Sequence, residues 1–141
     1  MRREDLTLIM LALSDGRQYT PVQIQKAMFL ADDFAREAFD SRYDFQPYDY
    51  GPFDPDVYRD VERMEVEGLT RISVTSRGWN VYMATDAGRR RGRELLDTLP
   101  PEQRDKLTRI SKFVRTLSFT DLVSSIYKAY PHMRERSVFR D

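Results

Sequence analysis

The chain has no cysteine. That excludes disulfides, thiolate metal sites and a cysteine nucleophile, and it fits a reducing, cytoplasmic setting. Histidine is almost as scarce: the only one is His132, near the end of the chain. A lone histidine with no neighbouring His or carboxylate spacing does not make a metal site, and no cofactor is implied. There is no excess of charge of either sign, with 23 basic and 23 acidic residues. A general nucleic-acid binder carries a basic excess. No apolar run approaches the ~20 residues a membrane span needs, so no membrane partner is expected. The N-terminus reads Met1-Arg2-Arg3-Glu4-Asp5, and those acids are wrong for a secretory signal. No Gly-rich loop has phosphate-cradling order: Gly88-Arg89-Arg90-Arg91-Gly92-Arg93 lacks the Gly-Lys-Ser/Thr ending.

What is present is patterning. Leu6, Ile9, Met10 and Leu13 recur at helical spacing, and Ser14-Asp15-Gly16 stops them. Thr20 is a helix cap, Pro21 takes the first helical position and Gln23 completes a capping box. Tyr19 and Ile24 are placed to staple that entry. Asp54-Pro55 repeats the cap-then-proline signal. Val57, Val61 and Met64 face inward, and Gly68 stops that helix. Two alternating runs around Ser76-Arg77-Gly78 read as a hairpin, with Thr85 capping the helix after it. Gly88 and Gly92 lie on the side of that helix with Leu95, Leu96 and Leu99, so they point to a close backbone approach. The spacing predicts helices over 3–14, 20–38, 54–67, 86–99, 101–117 and 119–130, with strands near 71–75 and 79–84. Asp40 to Phe53 reads as a connection of about a dozen residues, long for a helix–helix link. Tyr50-Gly51-Pro52 reads as a sharp turn in which Gly51 takes a positive φ. The tail from His132 to Asp141 is basic and reads as loosely held.

The fold class is therefore mainly α with a small β-hairpin: a winged helix-turn-helix in 1–99 with a helical extension in 100–141 packed on it. Charge is unevenly spread. Asp54 to Glu67 carries six acids against Arg59 and Arg63. Arg71 to Arg93 carries six arginines against Asp86 alone. If DNA is a partner, Arg77, Arg89, Arg90, Arg91 and Arg93 are the candidate phosphate contacts, and Arg59 and Arg63 the candidates on the third helix. The alternative is an ordinary solvated face. Acids at the start of the third helix oppose its entry into a groove between phosphates. That favours a protein-binding surface made by this helix and the Tyr48, Tyr50 and Phe53 segment. Trp79 stands beside the hairpin turn and reads either as packing inward or as a recognition aromatic. Asp32-Asp33 and Asp54-Asp56 are the only carboxylate pairs that suggest a metal-dependent nuclease. Capping explains Asp54 and the helix dipole favours Asp56.

Lys26-Ala27-Met28-Phe29-Leu30-Ala31, followed by Tyr48-Asp49-Tyr50-Gly51-Pro52-Phe53-Asp54-Pro55-Asp56-Val57-Tyr58, resembles the pattern of the Panacea, or SocA-like antitoxin, domain. It is equally similar to the YwgA-like bacterial and archaeal proteins. Leu117-Ser118-Phe119-Thr120-Asp121-Leu122, and Tyr130-Pro131 with Ser137-Val138, extend the likeness across most of the chain. The resemblance implies a non-enzymatic winged-helix module that binds proteins, chiefly a partner toxin. Its matching positions are Lys26, Tyr48, Tyr50, Gly51, Pro52, Phe53 and Tyr58. The functional expectation is a transcriptional regulator or antitoxin-like protein that binds DNA, a partner protein or both. A homodimer is expected, paired through the first helix and the two C-terminal helices.

Overall fold

The computed structural model describes residues 1–32 and 42–139. The stretch of the second predicted helix over 33–38, with Phe34, Ala35 and Ala38, lies outside the described residues, as does Asp33. The remaining elements are α1 (Arg3–Ala12), α2 (Pro21–Asp32), β1 (Gln46–Tyr48), β2 (Gly51–Phe53), α3 (Asp56–Val66), β3 (Thr70–Val74), β4 (Asn80–Ala84), α4 (Asp86–Asp97), α5 (Pro101–Thr116), α6 (Phe119–Ala129) and a short 3-10 helix at Pro131–Arg134. The protein is mainly helical, with two separate antiparallel hairpins, β1–β2 and β3–β4.

Four helix boundaries show a local cause. At α2 the Thr20 N–H donates to Gln23 Oε1 (2.9 Å) and the Gln23 N–H to Thr20 Oγ1 (3.2 Å), closing the capping box. At the end of α3, Gly68 sits at φ +81°, its N–H donates to Glu65 O, and the Leu69 N–H reaches back to Met64 O. Those two bonds are the Schellman arrangement that a left-handed glycine permits. Thr85 caps α4 by accepting from the Gly88 N–H (3.0 Å), while its hydroxyl donates to Gly68 O (2.7 Å). One threonine thus ties the start of α4 to the end of α3. Ser118 caps α6 by accepting from the Asp121 N–H at 3.1 Å.

The helix α1 forms the centre of the core, with Leu6 and every residue from Leu8 to Ala12 buried. Its apolar residues are consumed there, so α1 offers no free face for the pairing expected from the sequence. The helix α4 packs on it. A Cβ at Gly92 would lie 2.5 Å from the Ala12 Cβ, and one at Gly88 only 1.8 Å from Leu69 O. Gly92 is therefore the condition for the close packing of α4 on α1, and Gly88 for its approach to Leu69 after α3. The same apolar cluster includes Leu107 and Val114 of α5 and Leu122 and Ile126 of α6. The C-terminal helices share one core with the first 99 residues. Tyr19, fully buried, bridges α1, the second hairpin and α5. Its backbone exchanges both hydrogen bonds with Tyr82 on β4 (2.7 and 2.9 Å). Its hydroxyl donates to Met10 O (2.9 Å) and stands 2.6 Å from Ser111 Oγ.

Two expectations need correction. The Asp40–Phe53 segment is not a plain connection: within its described part it forms the β1–β2 hairpin, Gln46 opposite Phe53, Pro47 opposite Pro52, Tyr48 opposite Gly51. Proline argues against a strand because it lacks an N–H. Here the two prolines face each other at one position, where neither can donate to the other. The tail is also not loose as far as Phe139. The Val138 N–H and Ser137 Oγ both donate to Asp49 O (2.9 and 3.1 Å), and Phe139 is buried beside Val123 and Tyr127.

Candidate functional site

The β1–β2 hairpin is the platform of the site, and buried polar groups fix it. Gln25 on α2 pairs with the Asp54 backbone in both directions, Nε2 to Asp54 O and the Asp54 N–H to Oε1. The Asp54 carboxylate accepts the Asp44 N–H (2.7 Å) and the Asp56 N–H (2.9 Å), so it closes the hairpin base and starts α3 together. Gly51 takes φ +102°, the positive value expected. The position has little spare room: a Cβ would stand 3.1 Å from the Tyr127 ring and 3.7 Å from Lys26 Cε.

The residues matched by resemblance converge here. Lys26, Tyr48, Tyr50, Gly51, Phe53 and Tyr58 line one cavity of about 220 Å³, with Pro21, Val22, Gln25 and Asp49. Pro52 is not among the lining residues, but its carbonyl accepts a hydrogen bond from the Lys26 Nζ at 3.2 Å. Tyr48 stacks on Phe53 (4.9 Å between centroids), and Phe53 meets Tyr58 edge-on. Lys26 is 3% exposed. Burial lowers its pKa from the ordinary lysine value to about 7. A charge in low dielectric is disfavoured unless an anion faces it, and no described carboxylate lies within salt-bridge distance of Lys26.

A second, larger groove of about 570 Å³ adjoins the first through Pro21, Val22 and Tyr50, and is otherwise walled by Thr20, Gln23, Trp79, Leu117, Phe119 and Leu122. Tyr48, Tyr50, Trp79 and Phe119 are each between 41% and 46% exposed. Trp79 therefore does not pack inward. Phe119 carries no mark of a surface residue in the sequence, because it falls three residues before Leu122 on the inward stripe of α6. Its exposure depends on where the distant hairpin sits.

The arginines are placed differently. Arg59 is paired with Asp56, Arg63 with Asp60 and Glu4, Arg89 with Asp86, Arg93 with Asp15, and Arg91 with Glu94 at 3.7 Å. Arg77 lies over the Trp79 ring, 5.9 Å from its centroid. Arg77 and Arg90 have no acid partner among the described residues. Asp60 lies on the inner side of α3, with Val57, Val61 and Met64. It is fully buried and accepts from Arg3 Nε (3.0 Å), the Tyr43 hydroxyl (2.7 Å) and Arg63. Thr7 Oγ1 completes the cluster, 2.7 Å from the Tyr43 oxygen. Burial and the Asp60 charge push the Tyr43 phenol pKa upward, keeping it a donor. Among the described residues no three His, Cys, Asp or Glu side chains converge as metal ligands. No described helix is long and apolar enough to cross a membrane.

No family model matches the chain, and no curated protein matches it.

Proposed function

We propose that this chain is a non-enzymatic regulatory binding protein of winged-helix type whose working surface is the aromatic groove, and that its occupant is a partner protein. The winged-helix assignment is supported by the order α1, Tyr19, α2, α3, β3, β4, in which the Tyr19–Tyr82 bridge supplies the short first strand of the wing. The observation that carries the partner class is the cluster of half-exposed Tyr50, Trp79 and Phe119 around an apolar groove, with half-exposed Tyr48 on the adjoining cavity. Tyr and Trp are the residues that anchor protein interfaces, and rigid rings bind at little entropic cost. On α3, Arg59 and Arg63 are already engaged by carboxylates, so their charge is neutralised locally. A toxin as the partner, as the SocA-like resemblance implies, belongs to this proposal, as does a cytoplasmic location. A homodimer belongs to it too, with Phe113 of α5, 41% exposed, as its apolar contact; light scattering at tens of micromolar reads it.

The test compares partner capture from cells by three proteins: the wild type, Tyr50→Ala/Trp79→Ala and Arg59→Ala/Arg63→Ala. The groove reading expects loss of the partner only in the aromatic double variant. A second reading, DNA binding, is favoured by Arg77 and Arg90, which among the candidate phosphate contacts are the two without an acid partner in the described residues. It expects Arg77→Ala/Arg90→Ala to weaken binding to every DNA sequence and to flatten the salt slope by about 1 for each phosphate no longer neutralised.

A further inference from the structure

The two neighbouring cavities differ in one respect. The larger is walled almost wholly by apolar and aromatic groups; the smaller carries a buried lysine. Among the described residues Lys26 Nζ donates to one acceptor, the Pro52 carbonyl at 3.2 Å, whereas an ammonium offers three donors. Holding one carbonyl does not require a lysine; a neutral donor would do so without the cost of desolvating a charge. The pocket walls are the Tyr48–Phe53 stack, Tyr58, Val22 and Pro21, and Gly51 leaves room for the Lys26 stem where a side chain would press on Tyr127. A concave apolar site with a single convergent cation is the arrangement that recognises an apolar acid.

We propose that the Lys26 cavity is a binding site for a carboxylate carried on an aromatic or aliphatic group of one-residue size, the group lying against Tyr48, Phe53 and Tyr58 and the carboxylate meeting Lys26 Nζ. This deepens the reading of the hairpin as the binding surface and rests on it. Such a carboxylate has two sources, a free small acid or the C-terminus of a peptide. A carboxylate within reach restores the charged form of Lys26, whose pKa of about 7 leaves it roughly half protonated at neutral pH. The titratable groups around Lys26 are Asp49 from the hairpin turn, the phenols of Tyr48 and Tyr50, Tyr58 from α3 and Tyr127 from α6. Of these, Asp49 is the competitor: it lines the same cavity and its charge opposes an incoming anion. Asp49→Asn is therefore expected to tighten binding.

The experiment titrates the full chain with phenylacetate, with phenylacetamide, and with the tripeptide Gly-Gly-Phe as free acid and as C-terminal amide. Affinity and the Gly51 amide shift are read by NMR. Phenylacetate is expected to bind with Kd on the order of millimolar and to move Gly51. The amides are expected to bind at least roughly 10-fold more weakly, the loss of a charge-assisted hydrogen bond. Tighter binding of the tripeptide acid than of phenylacetate identifies a peptide terminus as the source; the reverse identifies a free acid. Lys26→Gln is expected to abolish the preference for acid over amide. The wild-type acid and amide comparison stands without it, should that variant fold poorly. Equal binding of acid and amide, or no binding of either, overturns the carboxylate site. Partner capture that still depends on Tyr50 and Trp79 would then show that the groove reading stands and only this inference fails.

Discussion

Gln25 and Asp54 form a closed ring of two hydrogen bonds, the Gln25 amide donating to the Asp54 carbonyl at 2.9 Å and accepting the Asp54 N–H at 3.0 Å. A side chain of α2 thereby does for the hairpin what a neighbouring strand would do. Both bonds are buried, so removing the side chain leaves two backbone groups without partners. Gln25→Ala is expected to cost about 2–4 kcal/mol, measured by urea denaturation. Gln25→Glu is expected to cost a comparable amount, because a carboxylate cannot donate to the Asp54 carbonyl. In both, hydrogen exchange at Asp54 should quicken more than exchange in α1.

Lys26 makes stability depend on pH in a predictable direction. Its folded pKa is about 7 and its ordinary value 10.5. Between those values the unfolded chain holds the proton that the folded one has released, so stability rises as pH climbs from about 7 to about 10. Below 7 both states hold the proton and the full penalty applies. Lys26→Met is expected to raise stability by about 2–4 kcal/mol at pH 6, net of the lost bond to Pro52, and by less at pH 9. Thermal unfolding of both proteins across pH 6–9 reads the difference. A gap that widens with pH would contradict the assignment of Lys26 as a desolvated amine.

Asp60 is a buried carboxylate held by Arg3, Arg63 and Tyr43. Asp60→Ala leaves Arg3 and the Tyr43 hydroxyl without their main acceptor, and is expected to cost about 3–5 kcal/mol. Denaturant midpoints for Asp60→Ala and for the exposed Glu62→Ala give the comparison. Glu62→Ala is expected to lie within about 0.5 kcal/mol of the wild type.

Gly88 and Gly78 separate two reasons for a glycine. A methyl at Gly88 would stand 1.8 Å from the Leu69 carbonyl oxygen, in a helix with ordinary backbone. Gly88→Ala is expected to cost about 3 kcal/mol or more by forcing α4 away from the end of α3. Gly78 has nothing within 4 Å but sits at φ +91°. Gly78→Ala is expected to cost about 1 kcal/mol through backbone strain alone. Circular dichroism melts of the two variants test this order.

Much of this architecture is legible locally. The capping roles of Thr20, Gln23, Thr85, Ser118 and Gly68 act within a few residues of themselves, so these can be read from spacing. Gly88 and Gly92 announce close packing because glycine is otherwise unfavourable in a helix. The β1–β2 hairpin is not legible, since its support comes from Gln25, distant in sequence, and its two prolines argue against strand. Asp60 does leave a signal: it stands between Val57 and Val61 on the inward stripe of α3, where a charge demands partners. Those partners, Arg3 and Tyr43, are 57 and 17 residues away. The resemblance-matched residues around Lys26 gather at one cavity, and the outward Trp79 and Phe119 that extend it become visible only when the two hairpins and α6 are placed together.

The central claim is that the aromatic groove, and not the outer face of α3, carries partner binding. Quantitative affinity capture with the wild type, Tyr50→Ala/Trp79→Ala and Arg59→Ala/Arg63→Ala, after each is shown to fold by circular dichroism, tests it most directly. The account predicts a protein retained by the wild type and by the arginine variant and lost by at least roughly 10-fold in the aromatic variant, as expected for removal of two interface anchors. Retention by the aromatic variant, with loss on changing Arg59 and Arg63, would contradict it.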